Sequence, residues 1–166
     1  YRDQNVQLLT DTSVTSVDPL TKTVTTAEKQ TLQFDKLLLA TGARPRQLPI
    51  PGADLPGVHY LRTLGDVAAL QETMERAQNV CLIGGGYVGL EFASVARKAG
   101  LNVTVLEAAD RLLQRVTTPE MSEYFAYLHR SHGVDVCVGA CIQEIQGAGR
   151  VERVVCDHGT VVADLV

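Results

Sequence analysis

Over residues 1–40, apolar and polar side chains alternate in short runs, NVQLL, SVTSVD, KTVTT and TLQF, before the wholly apolar KLLLA. Period-two alternation puts successive side chains on opposite faces of a strand, whereas a helix needs apolar positions every three or four residues. No helical period runs through this stretch. Asp18-Pro19 and the AEKQ segment supply turns, so antiparallel sheet is expected, ending in one buried strand at KLLLA. From Thr41 to Gly57 proline and glycine dominate, a composition that holds neither helix nor central strand. A domain boundary is placed there, with one domain over 1–45, a linker over 46–60 and a second domain over 61–166.

Beyond the linker the rhythm changes. Thr63, with Asp66 three residues on, opens a helix whose Val67, Leu70, Met74 and Ala77 share one face. NVCLI (79–83) is a strand. Tyr87–Ala99 is a helix with Val88, Phe92, Val95 and Ala99 as its expected inward stripe, closed by Gly100. NVTVLE (102–107) is the next strand. Thr118-Pro119-Glu120 opens a third helix, with proline where its missing N–H is harmless, and His132-Gly133 ends it. VDVCV (134–138) follows as a strand. CIQEIQ, RVERVVC and TVVADLV, separated by GAG and DHG, predict an antiparallel meander whose last run returns to the main sheet. The fold class is therefore α/β: a Rossmann-like βαβαβ parallel sheet with an antiparallel β-meander, preceded by antiparallel strands.

Composition narrows the function classes. Hydrophobic content of 45% and charged content of 20% are those of an ordinary globular protein. A formal charge of −4 gives no electrostatic case for nucleic acid or an anionic membrane surface. No apolar run approaches the roughly 20 residues that span a bilayer. The four cysteines, Cys81, Cys137, Cys141 and Cys156, fall at no metal-ligand or redox spacing and read as small apolar residues in strands. Free thiols suit a reducing cytoplasm. The sequence opens on Tyr1 and closes within the apolar run ADLV, so it is read as a segment of a longer protein.

The chemistry centres on VCLIGGGYVGLE (80–91). Gly84, Gly86 and Gly89 follow a strand and open a helix, the context that gives G-x-G-x-x-G its meaning. Gly84 takes the tight turn, Gly86 admits a pyrophosphate to the backbone, and Gly89 lets helix and strand approach. The free amides at Tyr87 and Val88 and the positive end of the helix would face the phosphates. A turn that is merely glycine-rich accounts for this first feature alone. The second feature is an acidic residue closing the next strand roughly 20 positions on, placed to bind the adenosine ribose. Glu107 ends VTVLE at that place, and its charge repels a 2′-phosphate, so NADH is preferred to NADPH.

LLLATGARPR, LRTLGDV, CLIGGGYVGLEFASVARKAGLNVTVLEAADRLLQRV and YLHRSHGVDV, in that order, resemble the FAD-dependent pyridine nucleotide–disulfide oxidoreductases. Within them the chain is most similar to the NADH-dependent ferredoxin and rubredoxin reductases of the putidaredoxin reductase type. The resemblance implies that 1–45 closes the first FAD-domain segment and that 61–166 is most of an NADH domain. It assigns Gly84, Gly86 and Gly89 to the nucleotide and Glu107 to the ribose. It sets Arg115 near the adenosine half, with Arg111 a weaker candidate, and Glu91 beside the nicotinamide, where a helix opening favours a carboxylate. Thr41 and Gly42 match positions touching the flavin nucleotide, and Arg62 matches an arginine reaching toward FAD. Without the family, Arg62 and Arg115 read as solvated surface arginines.

The function implied is transfer of hydride from NADH to FAD and of electrons onward to a ferredoxin or rubredoxin. NAD(H) and, in the intact protein, FAD are the cofactors. Neither nucleic acid nor membrane is a partner, and a homodimer is left open. The alternatives are an NADH oxidase, coenzyme A disulfide reductase or nitrite reductase branch, or a non-catalytic NAD(H)-binding module. The glycine fingerprint for FAD is absent from the sequence, so the segment alone is expected to bind NADH weakly, retain no FAD and show no reductase activity.

Overall fold

A computed structural model describes residues 5–166, and the chain divides into one body ending at Ala43 and a second over Arg44–Val166. In the first body the alternating valines and threonines form an antiparallel sheet in the order β1 (Val14–Asp18), β2 (Thr23–Thr26), β3 (Thr31–Gln33). Asp18 shapes the first turn, its Oδ1 accepting from the amides of Leu20 at 2.8 Å and Thr21 at 3.2 Å. Two apolar runs expected as strands, NVQLL and KLLLA, form none. Far from being buried, Leu38 is 86% exposed and Leu8 is 62% exposed. Apolar character alone does not make a strand; its amides and carbonyls need a neighbouring ladder, and neither run has one among the described residues.

The second body begins with the proline- and glycine-rich stretch, which is free of helix and strand but is not a spacer. Ile50, Leu55 and Val58 pack against a buried cluster, and the carbonyls of Pro51 and Pro56 accept from Ile145 and Val151, each at 2.9 Å. A chain without its own secondary structure must bond elsewhere, and here it bonds to the meander. Helix α1 (Leu64–Met74) starts at a capping box: Thr63 Oγ1 accepts from Asp66 N at 3.2 Å, and Asp66 Oδ2 from Thr63 N at 2.6 Å.

Strands β4 (Asn79–Ile83), β5 (Asn102–Glu107) and β6 (Val134–Val138) form a parallel sheet in that order. Helices α2 (Tyr87–Lys98) and α3 (Pro119–Ser131) make the crossovers. On the free side of β4, Leu165 forms a parallel bridge with Val80, and its carbonyl accepts from Cys81 N at 2.9 Å. The meander is β7 (Ile142–Gln146), β8 (Arg153–Cys156) and β9 (Gly159–Val162), antiparallel and in sequence order. No helix among the described residues is long and apolar enough to cross a membrane.

Alternate residues of the parallel strands feed two cores. Val80, Val103, Val105, Val134 and Val136 join the helical side with Leu70, Leu90 and Ala93, while Cys81 and Leu106 join Ile145, Val151 and Val154 of the meander side. A sheet covered on both faces explains the near-continuous apolar runs of its strands. The inward stripe of α2 differs from the expected one: Leu90, Ala93 and Ala96 are buried, while Val88 and Val95 are each 56% exposed. Gly89, Ala93 and Ala96 share one face at i, i+4 and i+7, and the close approach at Gly89 turns that face inward. Phe92 of the expected stripe still packs against the core, while Val88 and Val95 turn outward.

All four cysteines are free thiols, with Cys81 and Cys156 buried and Cys141 exposed. Burial, followed by the proximity of Cys156 and Cys137, pushes the Cys81 thiol up to about 12. Iodoacetamide in mildly alkaline buffer is therefore expected to alkylate Cys141 first, and Cys81 and Cys156 only after denaturation. Peptide mass spectrometry checks the order, and rapid labelling of native Cys81 would contradict this packing.

Candidate dinucleotide site

The site begins where β4 runs out. Gly84 adopts φ +117°, a region that side chains avoid, and its amide donates to Leu106 O at 2.8 Å. Gly86 is the extended N-cap residue of α2 and supplies no side-chain cap. The first-turn amides of α2, with Tyr87 and Val88 at its start, are therefore left for another acceptor. A Cβ on Gly86 would meet nothing within 4 Å, so the approach to these amides is open. At Gly89 the opposite holds: a Cβ would lie 2.2 Å from the carbonyl oxygen of Gly84. Because β4 has β5 on one side and Leu165 on the other, this turn sits where neighbours diverge, the usual ligand crevice of an open parallel sheet.

Glu107, half-buried at the end of β5, points its carboxylate into the glycine turn. Its Oε2 accepts from Gly85 N at 2.6 Å and its Oε1 from Ala109 N at 2.8 Å. A carboxylate offers about four lone-pair positions, so two remain for a ligand. Leu113, in the loop after β5, donates from its amide to Gly85 O at 2.9 Å while holding φ at 54°. Arg111 braces that loop, donating to the carbonyls of Thr117 (3.0 Å) and Gln114 (2.9 Å) and to Ser122 Oγ (2.7 Å). Arg115 is exposed on the same loop, with no hydrogen bond or ion pair among the described residues.

A cavity of about 270 Å³ opens beside the turn, lined by Ile83, Gly84, Val88, Gly89 and Phe92 together with Arg46, His59 and Tyr60. Burial outweighs the opposing pull of Asp66 and lowers the pKa of His59, favouring the neutral ring. Thr73 gives its hydroxyl proton to Ala69 O at 3.0 Å, so at 3.0 Å from His59 Nε2 its oxygen acts as acceptor. Tyr60 OH accepts from Leu48 N at 3.0 Å.

The predicted residues do not all converge. Gly84, Val88 and Gly89 share this cavity, whereas Tyr87 and Glu91 line a separate groove of about 790 Å³ between α2 and α3. Glu91 is exposed and is the fifth residue of α2, and the helix has no acidic residue in its first turn. The dipole support expected for it fades beyond that turn. Thr41 and Gly42 are exposed in the first body, Gly42 with φ +75°. Arg62 is exposed in the second, and its amide donates to Asp66 Oδ2 at 2.9 Å.

The model of the family described as "Pyridine nucleotide-disulphide oxidoreductase" matches residues 1–166. The chain belongs to this family. Rhodocoxin reductase of Rhodococcus erythropolis is 41% identical over 168 residues, covering 100% of this chain and 39% of the relative. A solved ferredoxin reductase from Rhodopseudomonas palustris superposes with TM-score 0.88 at 40% identity, over 99% of this chain and 41% of that one. A water-forming NADH oxidase from Lactobacillus brevis, solved bound to NADH, gives TM-score 0.78 at 26% identity, over 93% of this chain and 36% of the other. The chain thus spans about two-fifths of the curated relatives it matches.

Some residues at this family member's site left no trace in the motif spacing. Gly85 is the unconstrained x of the fingerprint, yet both its main-chain groups are bonded. Arg46, His59 and Tyr60 reach the cavity from the expected linker over 46–60, whose composition pointed only to a connection. Three consecutive glycines were the one available hint at Gly85.

Gly89→Ala is expected to push the start of α2 off β4. Overpacking of this kind costs about 1–3 kcal/mol. Urea denaturation reads the loss of stability, and unchanged stability would show that helix and strand have slack.

Proposed function

We propose that this chain is the NADH-binding portion of an FAD-dependent oxidoreductase that delivers electrons to a ferredoxin- or rubredoxin-type acceptor. One observation carries the proposal: uncapped amides of α2 and the Glu107 carboxylate converge on a side-chain-free turn at the end of β4. The donor set suits a dinucleotide. The amides and the helix dipole would hold the pyrophosphate without any lysine. The free lone pairs of Glu107 would accept from the adenosine ribose, with Arg115 nearby in sequence and unengaged. The cavity beside Gly84 has the apolar walls and the size for a nicotinamide ring.

When bound, the cofactors supply the redox chemistry, with hydride passing from nicotinamide to flavin and electrons leaving singly to the acceptor. The chain's own residues bind and orient. Ile83, Val88 and Phe92 would pack the ring and exclude water from its face. Glu91 lies one helical turn past Val88, so contact with the nicotinamide needs the ring's carboxamide to reach over the outer face of α2. Thr41, Gly42 and Arg62 are the residues of this chain that would touch FAD. The names of the solved ferredoxin reductase and of the rhodocoxin reductase support the acceptor class. Free thiols support a reducing compartment such as the cytoplasm.

Calorimetry is expected to show NADH binding tighter than NADPH by roughly tenfold or more, since like charges at close range are strongly disfavoured. Glu107→Ala should remove that preference. Equal affinity of the unaltered chain for the two coenzymes would reject the assignment of Glu107. In the intact flavoprotein, NADH-dependent reduction of a ferredoxin is the expected activity. Oxygen consumption with no transfer to ferredoxin would instead place the protein in the oxidase branch.

A further inference from the structure

Three glycines in succession, Gly84–Gly86, form the least constrained main chain a protein can have. Ordering each such residue costs on the order of 1–2 kcal/mol, and glycine stands at the upper end. Yet the central peptide groups of this turn are tied down by the protein's own groups. Gly85 N donates to Glu107 Oε2 at 2.6 Å, and Gly85 O accepts from Leu113 N at 2.9 Å. Glu107 is itself held on several sides. Its second oxygen takes Ala109 N at 2.8 Å, and its carbonyl takes Ala140 N at 2.9 Å.

Leu113 is equally constrained. It is 3% exposed, belongs to the core on the helical side, and occupies a left-handed backbone conformation that costs a leucine roughly 1–2 kcal/mol. Strain of this kind persists where the surroundings over-determine it. Here the fixed φ aims the Leu113 amide at Gly85.

We propose that Glu107 is a positioning residue for the phosphate-binding turn, clamping Gly85 from one side while Leu113 holds it from the other. This role is additional to, and rests on, the reading of the turn as a dinucleotide site. The clamp sets the open amides of α2 in their binding arrangement in the free protein, so the ligand does not bear the cost of ordering them. Two lone pairs remain on the carboxylate, so the sugar docks on an acceptor already in place and no clamp bond breaks.

The two roles separate with a probe that has a phosphate but no adenosine ribose. Reduced nicotinamide mononucleotide is such a probe, and the full chain is titrated with it and with NADH. A ligand of the adenosine ribose matters only to NADH; a clamp matters to both. Glu107→Ala is expected to weaken the mononucleotide roughly tenfold, the scale of a lost hydrogen bond to a charged group. Exchange of the Gly85 and Gly86 amides in the ligand-free variant should accelerate, while exchange in β4, at Val80 and Cys81, should not. Glu107→Gln keeps one acceptor oxygen and should fall between the two in exchange rate. It also carries the test alone if the alanine variant does not fold.

Unchanged mononucleotide affinity in the variants, with NADH weakened, would make Glu107 a sugar ligand only and overturn the clamp. Unchanged amide exchange would overturn it equally. Faster exchange throughout β4 would show general loosening and would also overturn it. If neither probe binds the unaltered chain, the dinucleotide reading fails by itself, and the exchange measurement still decides whether the clamp exists.

Discussion

Helix α2 and strand β4 meet main chain to main chain, at a distance that would put a Gly89 methyl group 2.2 Å from the carbonyl oxygen of Gly84. Nothing larger than hydrogen fits there without movement. Ala93 and Ala96 follow on the same face of the helix, and both are fully buried in the core on the helical side. The contact sets where the helix begins, directly above the end of β4. It therefore also sets where four donors without intrahelical partners are presented. Val88, displaced from the contact face, becomes a wall of the cavity, and Phe92 both lines the cavity and packs against the core on the helical side.

The electrostatics of the site are local and made mostly of main chain. The net charge of −4 plays no part, and no lysine enters the turn. The first turn of α2 contains no acidic side chain of its own. The acidic partner comes instead from β5, where register with β4 brings Glu107 level with the turn. Ala140 N holds the Glu107 carbonyl and Gly139 N holds the Ala109 carbonyl, each at 2.9 Å, so the strand end that carries the carboxylate is fixed by the chain leaving β6. A carboxylate placed on a rigid strand end is held more accurately than one placed on a loop.

The two faces of the parallel sheet divide the labour. One is covered by helices that shape the cavity and the groove between α2 and α3. The other is sealed by the meander and the proline-rich stretch, where Cys81 becomes a core side chain with its thiol kept protonated. The segment over 46–60 joins the two functions, since Ile50 and Leu55 pack on the sealed face while Arg46, His59 and Tyr60 reach the cavity.

Much of this was legible in the order of residues. The alternation of strand and helix, the Thr63–Asp66 capping pair, the glycine turn and the acidic end of the following strand are all patterns that can be read over a few residues. Which side of α2 would face the sheet was not legible. Val88 and Val95 are as apolar as Leu90, and only the close approach at Gly89, a contact with residues outside the helix, decides which face turns inward. KLLLA has the composition of a buried strand but no strand to pair with among the described residues. The anchoring of Gly85 by Glu107 and Leu113 likewise joins residues 22 apart or more. Sequence by itself determined most of the elements of the second body and which residues make the turn. Tertiary structure alone decided which faces were buried and what held the turn in shape, because those depend on partners brought together by folding.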